Sequence, residues 1–499
     1  MLQIVVNYAT LMLPTITRAF LFSGLSLLLS LSSNGIEIDN RGRWEKSSDR
    51  GPDQEVPGFL INLGPTGARA ILEEKSFIVK YLFAGSPADG KLALNDVITG
   101  VNGKPFEIAH RFGHHIDRMK TFPSVGYEGP LMDFGNAIED AEGKDGKLTL
   151  TITRDGKPLE VVITLRALGQ FSETFPQNCP KSALLAKEAS EYLSGPGYPY
   201  IKKELCHAKG MSALALLAAG KQEQAKELAQ AWKTLPHDGI WVWPVGYRCL
   251  FLCEYFLLTQ DKSVLPTIQA LAAKLEHAQV EDMINYQDRT HGKMGNVGHK
   301  FRTGGMGHNT NVGGYGTMTI TTALSLSAWE LAKQCGATVD QKKVELGFTY
   351  LRKSTTKKGY IGYHTEQGAY AAGGRQGLAI VAHHLAGDSQ KNPAYLQRVT
   401  HGLANSKKYL PDAHADGILS VCWGLLGSKL CNDPETTQAI MDYNKAWFNM
   451  ARCHDGSFVA LPGRDKYDSG YYLSSRHQLT ATMALVLANN DPVLKIQGR

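Results

Sequence analysis

The stretch that decides the fold is "GGMGHNTNVGGYGTMTITTALSLSAWEL", Gly304–Leu331. Its first half carries six glycines, two asparagines and one histidine, and its second half, from Met318, is apolar and predicts a helix. Glycine permits tight turns and close backbone approach, and the free N–H groups of a helix N-terminus favour an anion. The stretch therefore predicts a polar loop that leads into a buried helix and is suited to holding a ligand.

The same order of segments recurs six times between residues 181 and 499. Each unit has an amphipathic helix, a polar Gly-rich crossing and a more continuously apolar second helix, as in "KQEQAKELAQAWKTLP", "HDGIWVWPVG" and "YRCLFLCEYFLL" at 221–258. Helices that are apolar almost all round are buried on every side, as the inner helices of a closed ring must be. The pattern predicts an (α/α)6 toroid of helical hairpins, with an open helical solenoid as the alternative.

A different pattern, with the period of two typical of strands, fills Gly58–Arg166. "FIVKYLF" (Phe77–Phe83) and "LTLTITR" (Leu148–Arg154) alternate or are β-branched, and "DGK" (Asp155–Lys157) separates the second of these from "LEVVITL" (Leu159–Leu165). A short Asp-Gly turn between two such segments indicates a β-hairpin. We therefore expect a multidomain chain in which a small, mostly-β domain precedes the all-α toroid.

The segment between the first two predicted strands carries a recognisable order of residues. A Ser-Pro-Ala turn, a Leu-rich segment, an acidic residue and a strand ending in Val-Asn-Gly follow one another in Ala84–Phe106. This order resembles the central part of a bacterial PDZ domain. The matching positions are Ser86, Pro87, Ala88, Leu92, Asp96, Ile98, Val101, Asn102 and Gly103, whereas Asn95 replaces a usual glycine. The resemblance implies a PDZ-like domain over residues 58–168.

A PDZ domain adds a partner's C-terminal strand to its sheet edge and holds the terminal carboxylate on backbone N–H groups. The resemblance therefore implies a peptide or protein C-terminus as partner. The matching loop is "NLGPTG", Asn62–Gly67, where Pro65 departs from the family because it has no N–H. The expected peptide contacts are Leu63, Gly64, Pro65, Thr66 and Gly67.

An insertion at residues 107–129 makes this domain longer than the PDZ family needs. It contains His110, His114 and His115, but no carboxylate or cysteine spacing of a metal site accompanies them. We interpret the insertion as a solvated loop. Neither a metal nor a cofactor is expected anywhere in the chain.

The N-terminal residues have the pattern of a secretory signal peptide. After Arg18, "AFLFSGLSLLLSLSS" is apolar, too short to span a bilayer, and ends in small residues. Residues 1–32 are therefore expected to be a signal peptide cleaved after Ser32, with an uncleaved membrane anchor as the alternative, since Met12 could be an internal start. Linkers are expected at 33–57 and 169–180. The predicted location is periplasmic, cell-envelope or secreted.

Composition narrows the function. The 53 basic and 47 acidic residues give a formal charge of only +6, without long runs of either sign, and nucleic acid is therefore not an expected partner. The eight cysteines include no C-x-x-C motif, which argues against a zinc ribbon or a thioredoxin-like site. Disulfides are compatible with export, but their pairing does not follow from the sequence.

A glycine followed by an aromatic residue recurs at the crossings, in "DGIW" (Asp238–Trp241), "GYIGY" (Gly359–Tyr363) and "DGSF" (Asp455–Phe458). These turns are similar to those of the squalene cyclase and prenyltransferase toroids. The Asp-x-Asp-Asp run of the cyclases and the zinc set of the protein prenyltransferases are absent from the sequence. The resemblance therefore implies architecture and not chemistry. The whole layout also resembles a group of exported bacterial proteins catalogued only as a domain of unknown function.

The crossings that enter the inner helices of a ring gather around one mouth of its cavity, and the residues expected there resemble a sugar-polymer site. The predicted catalytic residues are His308, Tyr315, His414, Tyr472, Glu366 and Asp416. The predicted ligand-binding residues are Asn309, Asn311, Arg375, Arg464, Trp241, Trp423 and His477. Arg375 is notable because it follows two glycines at a helix start, where a cation is unfavourable unless an anion binds there.

Three functions remain open on these grounds. The first is an envelope protein whose PDZ-like domain docks a peptide while its toroid binds a ligand, and the third and weakest is a terpenoid-type cyclase. The second is an enzyme acting on polysaccharide, with an anionic polymer as the expected partner. In a lyase, Asn309 or Arg375 would stabilise the enolate-like intermediate, His308 or His414 would take the C5 proton, and Tyr315 or Tyr472 would protonate the leaving oxygen. In a hydrolase, Glu366 with Asp416 or Asp468 would be the acid and base.

Overall fold

A computed structural model of the protein describes residues 61–110, 128–203, 206–234, 241–281, 285–286, 299–300, 302–309, 316–388, 391–412, 417–459, 476–488 and 492–499. All of these belong to one unit, Ile36–Arg499, whereas the other unit, Met1–Gly35, lies outside the described residues. The predicted signal peptide, the predicted linker 33–57 and most of the His-containing insertion also lie outside them.

The first described part of the chain is a seven-stranded antiparallel sheet. Its strands are β1 Ile61–Asn62, β2 Ala68–Glu73, β3 Ser76–Leu82, β4 Val97–Val101, β5 Lys104–Pro105, β6 Lys147–Arg154 and β7 Lys157–Thr164. They are ordered β1-β2-β3-β4-β6-β7, and β5 pairs with β4. Helix α1, Pro130–Glu142, precedes β6 and packs on β4 and β6. The sequence prediction of an N-terminal antiparallel sheet is confirmed.

The β6–β7 hairpin forms where the sequence predicts it. Asp155 and Gly156 have φ angles of 49° and 77°, the positive pair that a type I′ turn requires. Alternation then places Leu148, Leu150 and Ile152 on one face, where all three are fully buried. The turn and the period of two thus specify the same register.

The second described part is mostly helical, as predicted, and its helices form two sets. The outer set consists of α2 Pro180–Ser194, α5 Gln222–Thr234, α7 Leu265–Ala278, α9 Gln341–Lys353, α11 Pro393–Ala404 and α13 Pro434–Ala451. The inner set consists of α4 Cys206–Ala218, α6 Val242–Thr259, α8 Thr319–Gln334, α10 Gly374–Leu385, α12 Gly417–Leu430 and α14 Arg476–Leu487. The crossings contain a short helix, α3 Tyr198–Ile201, and a two-stranded ribbon, β8 Asn285–Tyr286 with β9 His299–Lys300.

The six inner helices form a closed ring. Contacts join α4 to α6, α6 to α8, α8 to α10, α10 to α12, α12 to α14, and α14 back to α4. Thirteen of the 16 residues of α8 are buried, against five of the 13 residues of α9, its outer partner. The difference explains why the second helix of each predicted unit is more continuously apolar than the first.

Side chains cross the middle of this ring. Trp423 of α12 is fully buried and donates from Nε1 to Tyr247 Oη on α6, across 3.0 Å. Three steps around the ring separate α6 from α12, so this hydrogen bond joins opposite sides. The ring therefore has a filled interior at this level and not an open channel.

The segment Lys495–Gln497 covers one end of the ring. The buried carboxylate of Glu254, in the second half of α6, accepts hydrogen bonds from the backbone N–H groups of Lys495 (3.1 Å) and Ile496 (2.9 Å). The side chain of Gln497 donates to a carbonyl of α14, and the segment also contacts α10 and α12. The C-terminal ends of the inner helices are thereby capped, and their N-terminal ends form the other end of the ring.

Four charged side chains join the sheet to the helices in a buried cluster. Lys181 Nζ, on α2, lies 2.5 Å from Glu139 Oε2 and 2.9 Å from Glu142 Oε2, both on α1. Arg452, which directly follows α13, pairs with Glu142, while Asn449 of α13 donates to Glu139 Oε2 across 2.9 Å. None of these five residues is more than 7% exposed. The two positive charges balance the two negative ones, and each is costly to leave alone in the interior.

Removal of one cation from this cluster should destabilise the protein strongly. We expect Lys181→Met to lower the free energy of unfolding by about 3 to 5 kcal/mol, because two carboxylates remain buried with only Arg452 to compensate them. Lys187→Met is the matched control, since Lys187 lies on the same helix, is 70% exposed and is paired only across 3.8 Å with Glu191. Its effect should stay below about 1 kcal/mol in urea denaturation. Similar losses in both variants would contradict the account of the cluster.

The contact of Glu254 with the Lys495–Gln497 segment should make stability depend on pH. Burial raises the pKa of Glu254 from an ordinary 4.5 to about 7. The folded protein then binds this proton more tightly than the unfolded chain, so the free energy of unfolding should fall as the pH rises from 4.5 to 7, by about 3 kcal/mol at most. In Glu254→Gln this pH dependence should disappear. The variant should also be less stable than the unmodified protein at acidic pH, because the amide nitrogen donates where a carboxylate oxygen accepts. Identical pH profiles of the two proteins would count against the assignment.

Candidate functional site

The N-terminal ends of neighbouring inner helices are tied together by the crossings between them. The backbone N–H of Val242, the first residue of α6, donates to the carbonyl of His308 across 2.6 Å. The N–H of Thr319, the first residue of α8, donates in the same way to the carbonyl of Tyr363 across 3.0 Å. Each of these two crossings thus lies against the start of the preceding inner helix. We call this end of the ring the mouth.

The described part of the Gly-rich stretch packs against α9 and pairs with the chain just after α7 and just before α8. Gly304 has a φ of 85°, and a Cβ there would lie 2.1 Å from the carbonyl oxygen of Leu346 in α9. Met306 then forms antiparallel bridges with Gln279, just after α7, and with Met318, just before α8. Close packing against α9 therefore requires glycine at position 304, whether or not the loop binds a ligand.

His308 is held as a neutral donor. Trp243 Nε1–H donates to His308 Nδ1 across 2.9 Å, and the ring of Trp241 meets the imidazole edge to face at 5.8 Å. Burial, and next the nearby His364, lower the pKa of His308 to about 4. Because Nδ1 accepts, the neutral ring carries its proton on Nε2. In this geometry His308 is a hydrogen-bond donor and not the general base that the sequence predicts.

His364 is held in the opposite tautomer. Its Nδ1 lies 2.6 Å from the carbonyl oxygen of Thr317, which can only accept, so the proton is on Nδ1 and the lone pair on Nε2. The hydroxyl of Tyr350 donates to the carbonyl of His364 across 2.8 Å, and the ring of Tyr363 lies 4.7 Å away. His364 therefore has the orientation that a general base needs. His364 is not among the site residues that the sequence predicts.

Arg375 is a buried cation at the mouth. It is the second residue of α10 and is 6% exposed. Its Nε donates to the carbonyl of Ile361 across 2.8 Å, and its guanidinium carbon lies 4.9 Å from the ring centroid of Tyr370 and 5.8 Å from that of Tyr363. Within the described residues, Nη2 has no hydrogen-bond partner and no carboxylate forms an ion pair with the guanidinium. A bound anion would satisfy this group and offset the unfavourable helix dipole.

The predicted aromatic residues differ in position. Trp241 is 51% exposed at the mouth, next to His308. Trp423 is instead fully buried by its bond to Tyr247, so a ligand cannot stack on it, and we correct its assignment to the ring interior. His477, on α14, is also fully buried and lies between two tyrosine rings.

The remaining predicted site residues are not brought together by the described structure. Asn309 forms an antiparallel bridge with Trp241 through its backbone, and Glu366 is exposed in the crossing before α10. Six predicted residues lie outside the described residues and stay predictions: Asn311, Tyr315, His414, Asp416, Arg464 and Tyr472. Tyr363 thus lies beside both His364 and Arg375, and His308 is close enough to His364 for its charge to lower the pKa of His308.

The loop predicted to bind a peptide carboxylate is not exposed. Leu63, Gly64, Pro65, Thr66 and Gly67 are all buried. Asn62 Nδ2, beside them, donates to the carbonyls of Met450 (2.6 Å) and Arg452 (2.9 Å) at the end of α13. The loop is therefore packed on the ring.

The strand that follows this loop is also paired. β1 pairs with the first part of β2, with Ile61 opposite Ala70 and Asn62 opposite Arg69. At these positions β2 is paired within the chain, and the expected peptide partner is not supported by the described structure.

Two kinds of feature are absent from the described residues. No group of three or more His, Cys, Asp or Glu side chains there is placed to hold a metal ion. No helix in the same residues is long and apolar enough to cross a membrane.

Solved structures with some likeness to the chain include a mannanase, a glycoside hydrolase and the Lin0763 protein. An inactive variant of the α-1,6-mannanase GH76A of Salegentibacter sp., in complex with α-1,6-mannotriose, is 9% identical, with a TM-score of 0.37 over 72% of this chain and 98% of that one. A family 76 glycoside hydrolase from a bovine Bacteroides thetaiotaomicron strain is 12% identical, with a TM-score of 0.39 over 68% and 84%. The Lin0763 protein of Listeria innocua is 13% identical, with a TM-score of 0.40 over 62% and 96%. Because all three TM-scores lie below 0.5, these likenesses assign no activity to this chain.

Sequence comparison gives a firmer result for the helical part. No curated protein matches the chain. The profile of the domain of unknown function DUF6288 matches residues 182–498, which contain all the inner helices and the whole mouth. The chain is a member of the DUF6288 family.

Proposed function

We propose that the mouth of the ring binds an acidic polysaccharide and cleaves it by β-elimination. The observation that carries this proposal is Arg375, whose Nη2 is buried and has no hydrogen-bond partner among the described residues, with two tyrosine rings nearby. A uronate sugar offers both a carboxylate for the guanidinium and a ring that stacks on aromatic side chains. The exposed Trp241 lies in the same mouth and supplies such a surface.

Arg375 has the first task in this mechanism. Elimination begins with loss of the proton at C5, which is weakly acidic because the neighbouring carboxylate must accept the negative charge. A guanidinium bound to that carboxylate neutralises it and stabilises the enolate-like intermediate. Because Arg375 is already oriented by its bond to Ile361 and by two rings, little reorganisation accompanies this step.

The two histidines have complementary tasks. His364 Nε2 carries a lone pair and takes the C5 proton, while the carbonyl of Thr317 stabilises the imidazolium through Nδ1–H. His308 donates a hydrogen bond from Nε2 to the developing negative charge. The electron pair of the C5–H bond forms the C4–C5 double bond, and the oxygen on C4 departs and takes a proton from an acid. Tyr315 and Tyr472 stay the predicted acids, although both lie outside the described residues.

Hydrolysis is the alternative reaction by which this site could cleave a polysaccharide. Glu366 is exposed near the same mouth, and its predicted partners Asp416 and Asp468 lie outside the described residues. The products separate the two chemistries, since only elimination leaves an unsaturated uronate. Assays of the purified protein should therefore follow both absorbance and new reducing ends.

In the same proposal the sheet domain braces the ring and does not capture peptides. Its segment order is PDZ-like, but its loop Asn62–Gly67 and the edge of β2 are used inside the molecule. Export to the periplasm, envelope or medium is part of the proposal, because acidic polysaccharides are found outside the cell membrane and residues 1–32 have the pattern of a signal peptide.

Loss of Arg375 should abolish elimination selectively. We expect the protein to release unsaturated products from polygalacturonate, alginate or glucuronan, and Arg375→Met to lower kcat/KM at least about 100-fold, because one charge-stabilising group is removed from the intermediate. Arg398→Met is the matched control, since Arg398 also lies over a tyrosine ring but is exposed on α11. It should leave the rate unchanged. New reducing ends without absorbance, from these polymers or from a neutral α-1,6-mannan, would exclude elimination and indicate hydrolysis.

The tautomer assigned to His308 can be tested separately. Its pKa of about 4 predicts a neutral ring at every pH from 5 to 8, with Nε2 protonated. Nitrogen NMR of the histidine side chains should show this, and Trp243→Phe should raise the pKa of His308 because a donor to the neutral form is removed. If His308 instead titrates near 6.5 in the unmodified protein, its assignment as a neutral donor is wrong, and the predicted role as general base is favoured.

A further inference from the structure

Three aromatic rings are stacked at a part of the mouth that the proposed reaction does not use. The ring of Tyr200, on α3, lies parallel to that of His477 at 6.1 Å and 18°. The ring of Tyr192, on α2, also lies nearly parallel to that of His477, at 5.9 Å and 21°. His477 is fully buried, whereas Tyr200 is 46% exposed. The accessible side chain of the stack is thus Tyr200, whose ring packs on the buried His477.

The neighbours of this stack hold it rigidly. A Cβ at Gly197 would lie 2.8 Å from Tyr192 Cε1 and 3.1 Å from His477 Cδ2, so glycine is needed where the chain passes the rings. Tyr192 Oη accepts a hydrogen bond from Arg476 Nη1 across 3.0 Å. Tyr198, two residues before Tyr200, donates to Glu227 on α5 across 2.8 Å. The chain on either side of Tyr200 is therefore held by its neighbours, and the Tyr200 ring packs on His477, which lowers the entropy that it would lose on binding.

The position of Tyr200 in the ring is opposite that of Arg375. Helix α3 leads into α4, and His477 is the second residue of α14, so the stack lies at the N-terminal ends of these two inner helices. Arg375 is at the same end of α10, three steps around the ring from α4. Tyr200 and Trp241 are also the two large apolar side chains that stand out as exposed in the described helical part, and both lie at the mouth.

We propose that Tyr200 is a sugar-stacking subsite on the far side of the mouth, so that a single polysaccharide chain lies across the mouth from Arg375 to Tyr200. This inference rests on the proposed function. A pyranose ring presents an apolar face of C–H groups, which packs well on an accessible aromatic ring. Because the two sites are on opposite sides, the enzyme holds the interior of a polymer and cleaves within chains, and short oligomers reach only one of the two sites.

The test is binding as a function of chain length. The full-length His364→Ala protein, which should bind without turnover, is titrated calorimetrically with oligogalacturonates and alginate oligomers of two to eight units, with and without Tyr200→Ala. We expect Tyr200→Ala to weaken binding of the longest oligomers about three- to tenfold and to leave the dimers unchanged. Tyr200→Phe should retain the affinity. Leu94→Ala is the control, since Leu94 is equally exposed, at 46%, on the sheet domain.

Each outcome separates this inference from the proposed function. Binding that is the same with and without Tyr200 at every length would overturn the subsite and leave the Arg375 site intact. Equal weakening for dimers and octamers would also overturn it, because the side chain would then act at a single compact site. If the His364→Ala protein binds no acidic oligomer while its circular dichroism is unchanged, the proposed function and the subsite both fail.

Discussion

The structure depends first on the buried contact between Lys181, Glu139, Glu142 and Arg452. Two carboxylates of helix α1, which packs on the sheet, meet two cations from opposite ends of the helical domain, one at the start of α2 and one just after α13. Charges buried in this way are stable only together, because each pays a desolvation cost that its partners offset. The cluster therefore joins the first and last outer helices to the sheet and favours closure of the ring.

The docking of the sheet on the helices also limits which surfaces remain for ligand binding. The loop Asn62–Gly67 and the end of α13 are used for docking, and β1 covers the edge of β2. The Lys495–Gln497 segment covers the C-terminal ends of the inner helices, and the bond between Trp423 and Tyr247 fills the middle. The mouth is left as the end where polar crossings, the exposed Trp241 and the buried Arg375 meet, and no described residue pairs with Arg375 Nη2. The site thus follows from what the rest of the fold has already covered.

Sequence reasoning succeeded where a short-range pattern sets the structure. The β6–β7 hairpin followed from alternation and an Asp-Gly turn, and the two sets of helices followed from their different apolar periodicity. Arg375 was identified because a cation at a helix N-terminus is unfavourable unless an anion binds there. The reasoning did not find the docking of Asn62 on α13, because residues almost 400 positions apart carry no local signal of contact. Nor could it assign the tautomers of His308 and His364, which depend on Trp243 and on the carbonyl of Thr317.

The central claim is that Arg375 recognises the carboxylate of an acidic sugar. The most direct measurement is a crystal structure of the His364→Ala protein with a bound oligogalacturonate or alginate oligomer. The account predicts a sugar carboxylate within about 3 Å of Arg375 Nη2, with its pyranose ring near Trp241. A protein carboxylate paired with Nη2, and sugar bound elsewhere or not at all, would contradict it.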